Sequence, residues 1–183
     1  MQIYIPPSTL SIADGSVTPA KLTQPFTAST AVSLSGTSVD FTNIPSWVKR
    51  ITLSINQVSL SGTSDVLIQL GSSSGGIETT GYVGNVGVTD STSPTYGAQT
   101  LNTGIRIIYG IPAAANVSGL LFLTNISGNI WTYTGTGGAN STILRCGFCG
   151  GSKTLSSILD RIRITTVNGT DTFDLGSVNI FWE

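Results

Sequence analysis

From Ala31 onward apolar and polar residues alternate with a period of two, the spacing of strands that bury one face. Val39 and Phe41 flank Asp40. Ile51, Leu53 and Ile55 share one parity within Val48–Leu60, whereas Val58 and Leu60 take the other, so a β-bulge is predicted near Asn56-Gln57. Pro45 lacks an amide hydrogen, which predicts a corner at Ile44–Trp47 and not a central strand. Ser61 to Ser64 turns the chain into a return strand with Val66, Ile68 and Leu70. Near the C-terminus Ile162 and Ile164 alternate with Arg161, Arg163 and Thr165. Asn168-Gly169 offers the positive φ angles of a tight reversal, and Val178, Ile180 and Trp182 alternate after it. The last two runs are therefore expected to form a hairpin, Asp160 to Glu183, that closes the fold.

Between these ends the pattern weakens. Gly71 to Thr103 is rich in Gly, Ser and Thr and predicts long loops, with a short strand within Gly81–Val88. Strands are predicted at Gly104–Gly110, Gly119–Asn125, Asn129–Tyr133 and Thr142–Phe148, with Ser127-Gly128 turning between the second and third. Ser156–Leu159 could make one helical turn, and nothing else has a helical period. The expected fold is all-β, an antiparallel β-sandwich of jelly-roll type. Residues 1–30 carry Pro6-Pro7, Pro19 and Pro25 and too few apolar residues for a core of their own. They are expected to be an extended attachment or collar segment ahead of one knob domain, 31–183. The string SLSGTS occurs at Ser33–Ser38 and again at Ser59–Ser64, which predicts reused turn chemistry and not a repeat architecture.

FTNIPSWVKRITLSINQVSLSGTSDVLIQLG at Phe41–Gly71 and LDRIRITTVNGTDTFDLGSVNIFWE at Leu159–Glu183 resemble a C-terminal domain recurrent in bacteriophage fibre and tail structural proteins. LSIADGSVTPAKL at Leu10–Leu22 is similar to the short collar that often precedes such domains. The resemblance implies a homotrimeric virion component, assembled in the host cytoplasm. It would join other virion proteins through residues 1–30 and recognise the host surface. Two other functions stay open: a capsid head fibre or decoration protein without a receptor, and a fibre-borne carbohydrate-active enzyme. The matching strings name a virion part and not a chemistry.

Composition sharpens this picture. Charged residues make up 9% of the 183-residue chain, against about 25% in a typical soluble protein. Hydrophobic residues make up 39% and mean hydropathy is +0.26, yet no apolar run approaches the roughly 18–20 residues of a membrane span. No membrane insertion is expected. Surplus apolar surface without a membrane predicts self-association, since obligate interfaces resemble a core cut in half. A net charge of −1 with scattered cations argues against nucleic-acid binding. MQIYIPPSTL lacks the basic and long apolar regions of a signal peptide, so cytosolic assembly is expected.

There is no histidine, which removes Ser-His and Cys-His nucleophilic catalysis and the imidazole ligands of most catalytic zinc sites. Cys146-Gly-Phe-Cys149 lacks a second pair to complete a zinc site. On a strand the two thiols would point to opposite faces, so buried free thiols are expected. Gly147–Thr154 nearly matches a phosphate-binding loop, but Ser152 replaces its second Gly and no βα unit surrounds it. Asp171 and Asp174 are expected to accept turn hydrogen bonds, or to pair with Arg161 or Arg163, and not to form a glycosidase pair. No enzyme activity, cofactor or metal is expected. The remaining surface chemistry is aromatic: Tyr82, Tyr96, Tyr109, Trp131 and Tyr133 could stack on sugars. Tyr82 and Tyr96, in the predicted loops of Gly71–Thr103, are the expected receptor contacts, with a host-surface glycan as ligand and trimer avidity strengthening a weak site.

Overall fold

The computed structural model describes residues 16–18, 21–92 and 97–183. Among these residues thirteen strands run antiparallel in two sheets, and there is no α-helix. In chain order they are β1 (Thr27–Ala28), β2 (Val32–Ser33), β3 (Ser38–Phe41), β4 (Arg50–Leu60), β5 (Val66–Ser72), β6 (Gly76–Ile77) and β7 (Tyr82–Asp90). Then follow β8 (Gly97–Leu101), β9 (Asn116–Ser127), β10 (Ile130–Asn140), β11 (Arg145–Thr154), β12 (Leu159–Thr166) and β13 (Phe173–Trp182). The large sheet has the order β1-β13-β4-β9-β10-β11-β7-β8, with β2 also beside β13. The small sheet is β3-β12-β5-β6. Both contribute to one core, where Ile51, Leu53, Ile162 and Ile164 are fully buried.

Much of the local reading holds. The chain is all-β and antiparallel. The bulge in β4 lies where the phase change puts it: the register with β9 slips between Ile55 and Val58, and Gln57 adopts a φ of 50°. Ser127-Gly128 joins β9 to β10 as a true hairpin. Pro45 makes the corner between β3 and β4, accepting a bond from the Val48 amide at 3.1 Å. The chain joins the large sheet already at Thr27, opposite Trp182. Most of the expected collar, residues 1–15 and 19–20, lies outside the described residues.

The pairing of consecutive strands differs. β12 and β13 do not form a hairpin: β12 belongs to the small sheet and β13 to the large one. The return strand β5 likewise leaves β4 for the small sheet. A strand with one buried face alternates identically in either arrangement, so periodicity cannot tell a hairpin from a sheet-crossing corner. The two corners are bonded to each other instead. Asp171 accepts the Ser64 amide at 2.9 Å and the Asn168 side-chain amide at 2.8 Å, and the Asn168 amide donates to the Ser64 hydroxyl at 3.1 Å. Gly62 permits the approach, because a Cβ there would lie 2.3 Å from the Asp171 carboxylate. Both SLSGTS strings border the start of β13: the Phe173 amide donates to Gly36 O, and the Ser61 amide to Thr172 O.

Two expected features are replaced by others. Gly71–Thr103 is not mainly loop, since it carries the end of β5 together with β6, β7 and β8. Ser156–Ile158 bends without forming a helical turn.

Gly104–Gly110 is not a strand, although Ile105 exchanges backbone bonds with Ile68 at 2.8 Å. The irregular segment 102–115 buries Ile105, Ile107, Ile108 and Ile111 to 3% exposure or less. Glycines on the inner face of β9, β10 and β11 make room for it. A Cβ at Gly119 or Gly137 would approach Ile107 Cδ1 to 2.7 or 2.9 Å, and one at Gly147 would strike the Ile107 carbonyl at 2.4 Å. Glycine inside a strand here marks close approach of another chain segment. The segment also explains why β5 is buried along its whole length: Gly104 packs on Leu67, and Gln69 donates to Thr103 O at 2.9 Å.

Gly137 meets only Ile107 at short range, so the pair is suited to a double-mutant cycle. Ile107→Ala should cost about 2–5 kcal/mol through the cavity it leaves. Gly137→Ala should also destabilise. The double variant should lose at least ~1 kcal/mol less than the two singles together, because the added methyl enters the vacated space. Additive losses in chemical denaturation would show that Ile107 is not seated against Gly137.

Candidate functional site

Tyr82 opens β7 opposite Lys153 of β11, on the inner face of the large sheet, and is 3% exposed. Its hydroxyl donates to Glu78 O at 3.0 Å and accepts the Leu70 amide at 2.7 Å. Burial pushes the phenol well above its ordinary range, ahead of any neighbouring charge. A ring enclosed in this way offers no face to a ligand, so Tyr82 is a joint between the sheets and not a receptor contact. Tyr96 lies outside the described residues.

Around Tyr82 is a cluster that no sequence motif announced as such. The Lys153 ammonium contacts Glu78 at 2.5 Å and the Thr154 carbonyl at 2.9 Å, and it lies 5.4 Å from the Tyr82 ring centre. The other Glu78 oxygen accepts the Ser156 amide at 2.8 Å and its hydroxyl at 2.7 Å. Lys153 is the lysine of the loop-like string Gly147–Thr154, but β11 runs through that string and the lysine is turned inward. Its charge is used to tie β11 to the β6–β7 connection. Glu78, the one glutamate away from the C-terminus, was the available signal.

The other sequence candidates separate in the same manner. Cys146 is exposed and Cys149 buried, both free. The opposite-face expectation holds, while the expectation that both are buried fails at Cys146. Burial drives the Cys149 thiol up to about 12, leaving it unreactive as a nucleophile. Asp171 accepts turn bonds as expected, but Arg161 pairs with Asp160, and Arg163 pairs with Asp40 through two bonds of 2.8 Å. Trp131 and Tyr133 are each 4% exposed and pack in the core. Tyr109 is partly buried, with the Arg106 guanidinium 5.9 Å from its ring centre.

The two sheets present different outer faces. The small sheet carries Asp40, Arg163 and Thr165 beside a polar recess of about 400 Å³ that also touches Asn168. A second recess, of about 340 Å³, lies at the β9–β10 turn between Lys49, Asn125, Asn129 and the buried Trp131. Asn125 is already committed there: it accepts Lys49 at 3.1 Å and donates to Gly128 O at 2.9 Å. The large sheet instead exposes Val83, Leu120, Phe122, Ile126, Ile130 and Phe148 among threonines and serines. No family model, curated protein or solved structure matches the chain. Among the described residues no group of three acidic, cysteine or histidine side chains could hold a metal ion. The same residues contain no helix long and apolar enough to cross a membrane.

The Glu78 cluster gives the fold an acid limit. Burial alone raises the Glu78 carboxyl, but the bonds from Lys153 and Ser156 outweigh it and hold the group below its ordinary value. A carboxylate lowered on folding stabilises the native state above its unfolded pKa of about 4.3. That contribution disappears as pH falls through the lower folded value. The melting temperature should therefore be insensitive to this group from pH 7 to about 5 and drop below about 4. Glu78→Gln should lower stability at neutral pH by about 3 kcal/mol, since it leaves the inward Lys153 without its counterion. It should also flatten the acid slope. Melting curves with the wild-type slope in the variant would remove Glu78 as the cause.

Proposed function

We propose that this protein is a structural component of a bacteriophage virion, a trimeric sandwich-type fibre knob that takes part in recognition of the host surface. One observation supports this reading above the others. The two resembling strings, Phe41–Gly71 and Leu159–Glu183, lie far apart in sequence but build one contiguous part of the fold. They supply β12 and β5 as neighbours in the small sheet, and β13 and β4 as neighbours in the large one. They also supply both mutually bonded corners. A shared scaffold would be kept together in space in this way, with the Gly-rich strands β7 to β11 as the part that varies on it.

Receptor recognition is placed away from Tyr82. Tyr96 falls between β7 and β8 in sequence, and it carries the receptor expectation without its former companion. The ligand is a host-surface glycan, bound weakly at each of three copies and strengthened by avidity. Residues 1–30 join the knob to the rest of the virion.

Gold-labelled antibodies raised against the purified protein should decorate the tail ends of virions carrying its gene. Label on the capsid would overturn the host-recognition role in favour of a head fibre. Virions without label would overturn the virion assignment altogether.

A further inference from the structure

We infer that the outer face of the nine-stranded sheet is the surface on which three copies of this chain associate. This placement rests on the trimeric reading above, which by itself does not say which surface the copies share.

Strand register sets the face out in rows. One row runs Phe181, Thr52, Phe122, Thr134, Gly150 from β13 to β11, and the next runs Ser54, Leu120, Thr136, Phe148 from β4 to β11. Leu120 is 40% exposed, Phe122 41% and Phe148 50%. These are large side chains at mid-strand, on the side of the sheet away from the core. Phe148 lies across Gly87 of β7, where a Cβ would be 2.5 Å from the ring. The ring thereby covers the glycine and keeps the face low. At one edge Phe26 stacks on Phe181 at 6.1 Å, so the chain approaching from residues 1–30 borders the same surface.

Charge separates this face from the other. Across β4, β9, β10, β11 and β7 the one ionised side chain of outward parity is Arg50, at a strand end and paired with Glu183. The small sheet's outer face carries Asp40–Arg163 and Asp160–Arg161. An uncharged apolar face can meet a copy of itself without placing like charges together or stranding an ion out of water.

The dimensions fit. These five strands at ~4.8 Å each cover ~24 Å, and three outward rows at ~6.8 Å each cover ~20 Å, giving ~500 Å² in projection. Side-chain relief raises the accessible area toward the ~800 Å² that each partner gives to a standard interface. Three faces ~24 Å wide, set around a threefold axis, stand ~7 Å from it. Facing sheets fill ~5 Å each from backbone to midplane, and phenylalanines reach further, so these side chains suffice to close the centre.

Light scattering of the full chain at micromolar concentration tests this. The wild type should give three times the 19.0 kDa of one chain. Leu120→Glu with Phe122→Glu should reduce the mass to a single chain and keep a cooperative melt. Ile158→Glu, at a 56% exposed position outside both sheets, should stay trimeric. If the glutamate pair fails to fold, Leu120→Thr with Phe122→Thr keeps strand-favouring residues and should weaken association at least tenfold. Trimeric wild type with trimeric, folded face variants, or dissociation by Ile158→Glu alone, overturns this placement and leaves the trimer standing. Wild type at 19.0 kDa overturns the trimer and the placement together.

Discussion

The fold depends on filling the space between two sheets of unequal width. At ~4.8 Å per strand, four strands cover about half the width of the eight that lie in the order of the large sheet. The irregular segment 102–115 adds to the filling, with Ile107 against the inner face of β9 to β11. A buried loop must satisfy its backbone polar groups, which is why such loops are rare. Here the partners can be traced. Ile105 exchanges both its bonds with Ile68, Thr103 O receives Gln69, and Asp65 accepts Gly110 N at 2.7 Å while pairing with Arg106 at 3.0 Å. The glycines of β9, β10 and β11 follow from this arrangement, since a side chain at 119, 137 or 147 would occupy the place of Ile107.

What could be read from the sequence was whatever depends on neighbours along the chain. Alternation located most strands, the parity change at Val58 located the bulge, and Pro45 located a corner. CxxC on a strand gave opposite faces for the two thiols. What could not be read depends on which distant strand lies alongside. Asn168-Gly169 suits a hairpin equally well as a corner; the two are distinguished by β12 and β13 pairing in different sheets, with the Ser64 amide donating to Asp171 across the corners. Ile105, Ile107 and Ile111 have strand-like spacing, but they fill a glycine groove from a segment with a single bridge. Tyr82 looked like a surface aromatic because its neighbours are Gly, Ser and Thr. Small residues around a tyrosine also fit close packing, and here the hydroxyl links Leu70 to Glu78 inside the molecule.

The scarcity of charge follows the same division between inside and outside. Asp65–Arg106 secures the buried segment, Glu78–Lys153 secures the connection into β7, and Asp40–Arg163 joins β3 to β12. Each pair bridges elements remote in sequence, and two of the three are largely withdrawn from solvent. Ion pairs of that kind lose little to salt screening compared with exposed ones, so they can act as fixed joints. With charge committed to joints and to the small sheet's outer side, solubility falls to hydroxyl and amide groups. A threonine–serine surface interrupted by Leu120, Phe122 and Phe148 is then a face that water tolerates and a like face can displace water from. The same residues that leave the middle of the large sheet's outer side uncharged make it the part of the molecule with most to gain from contact.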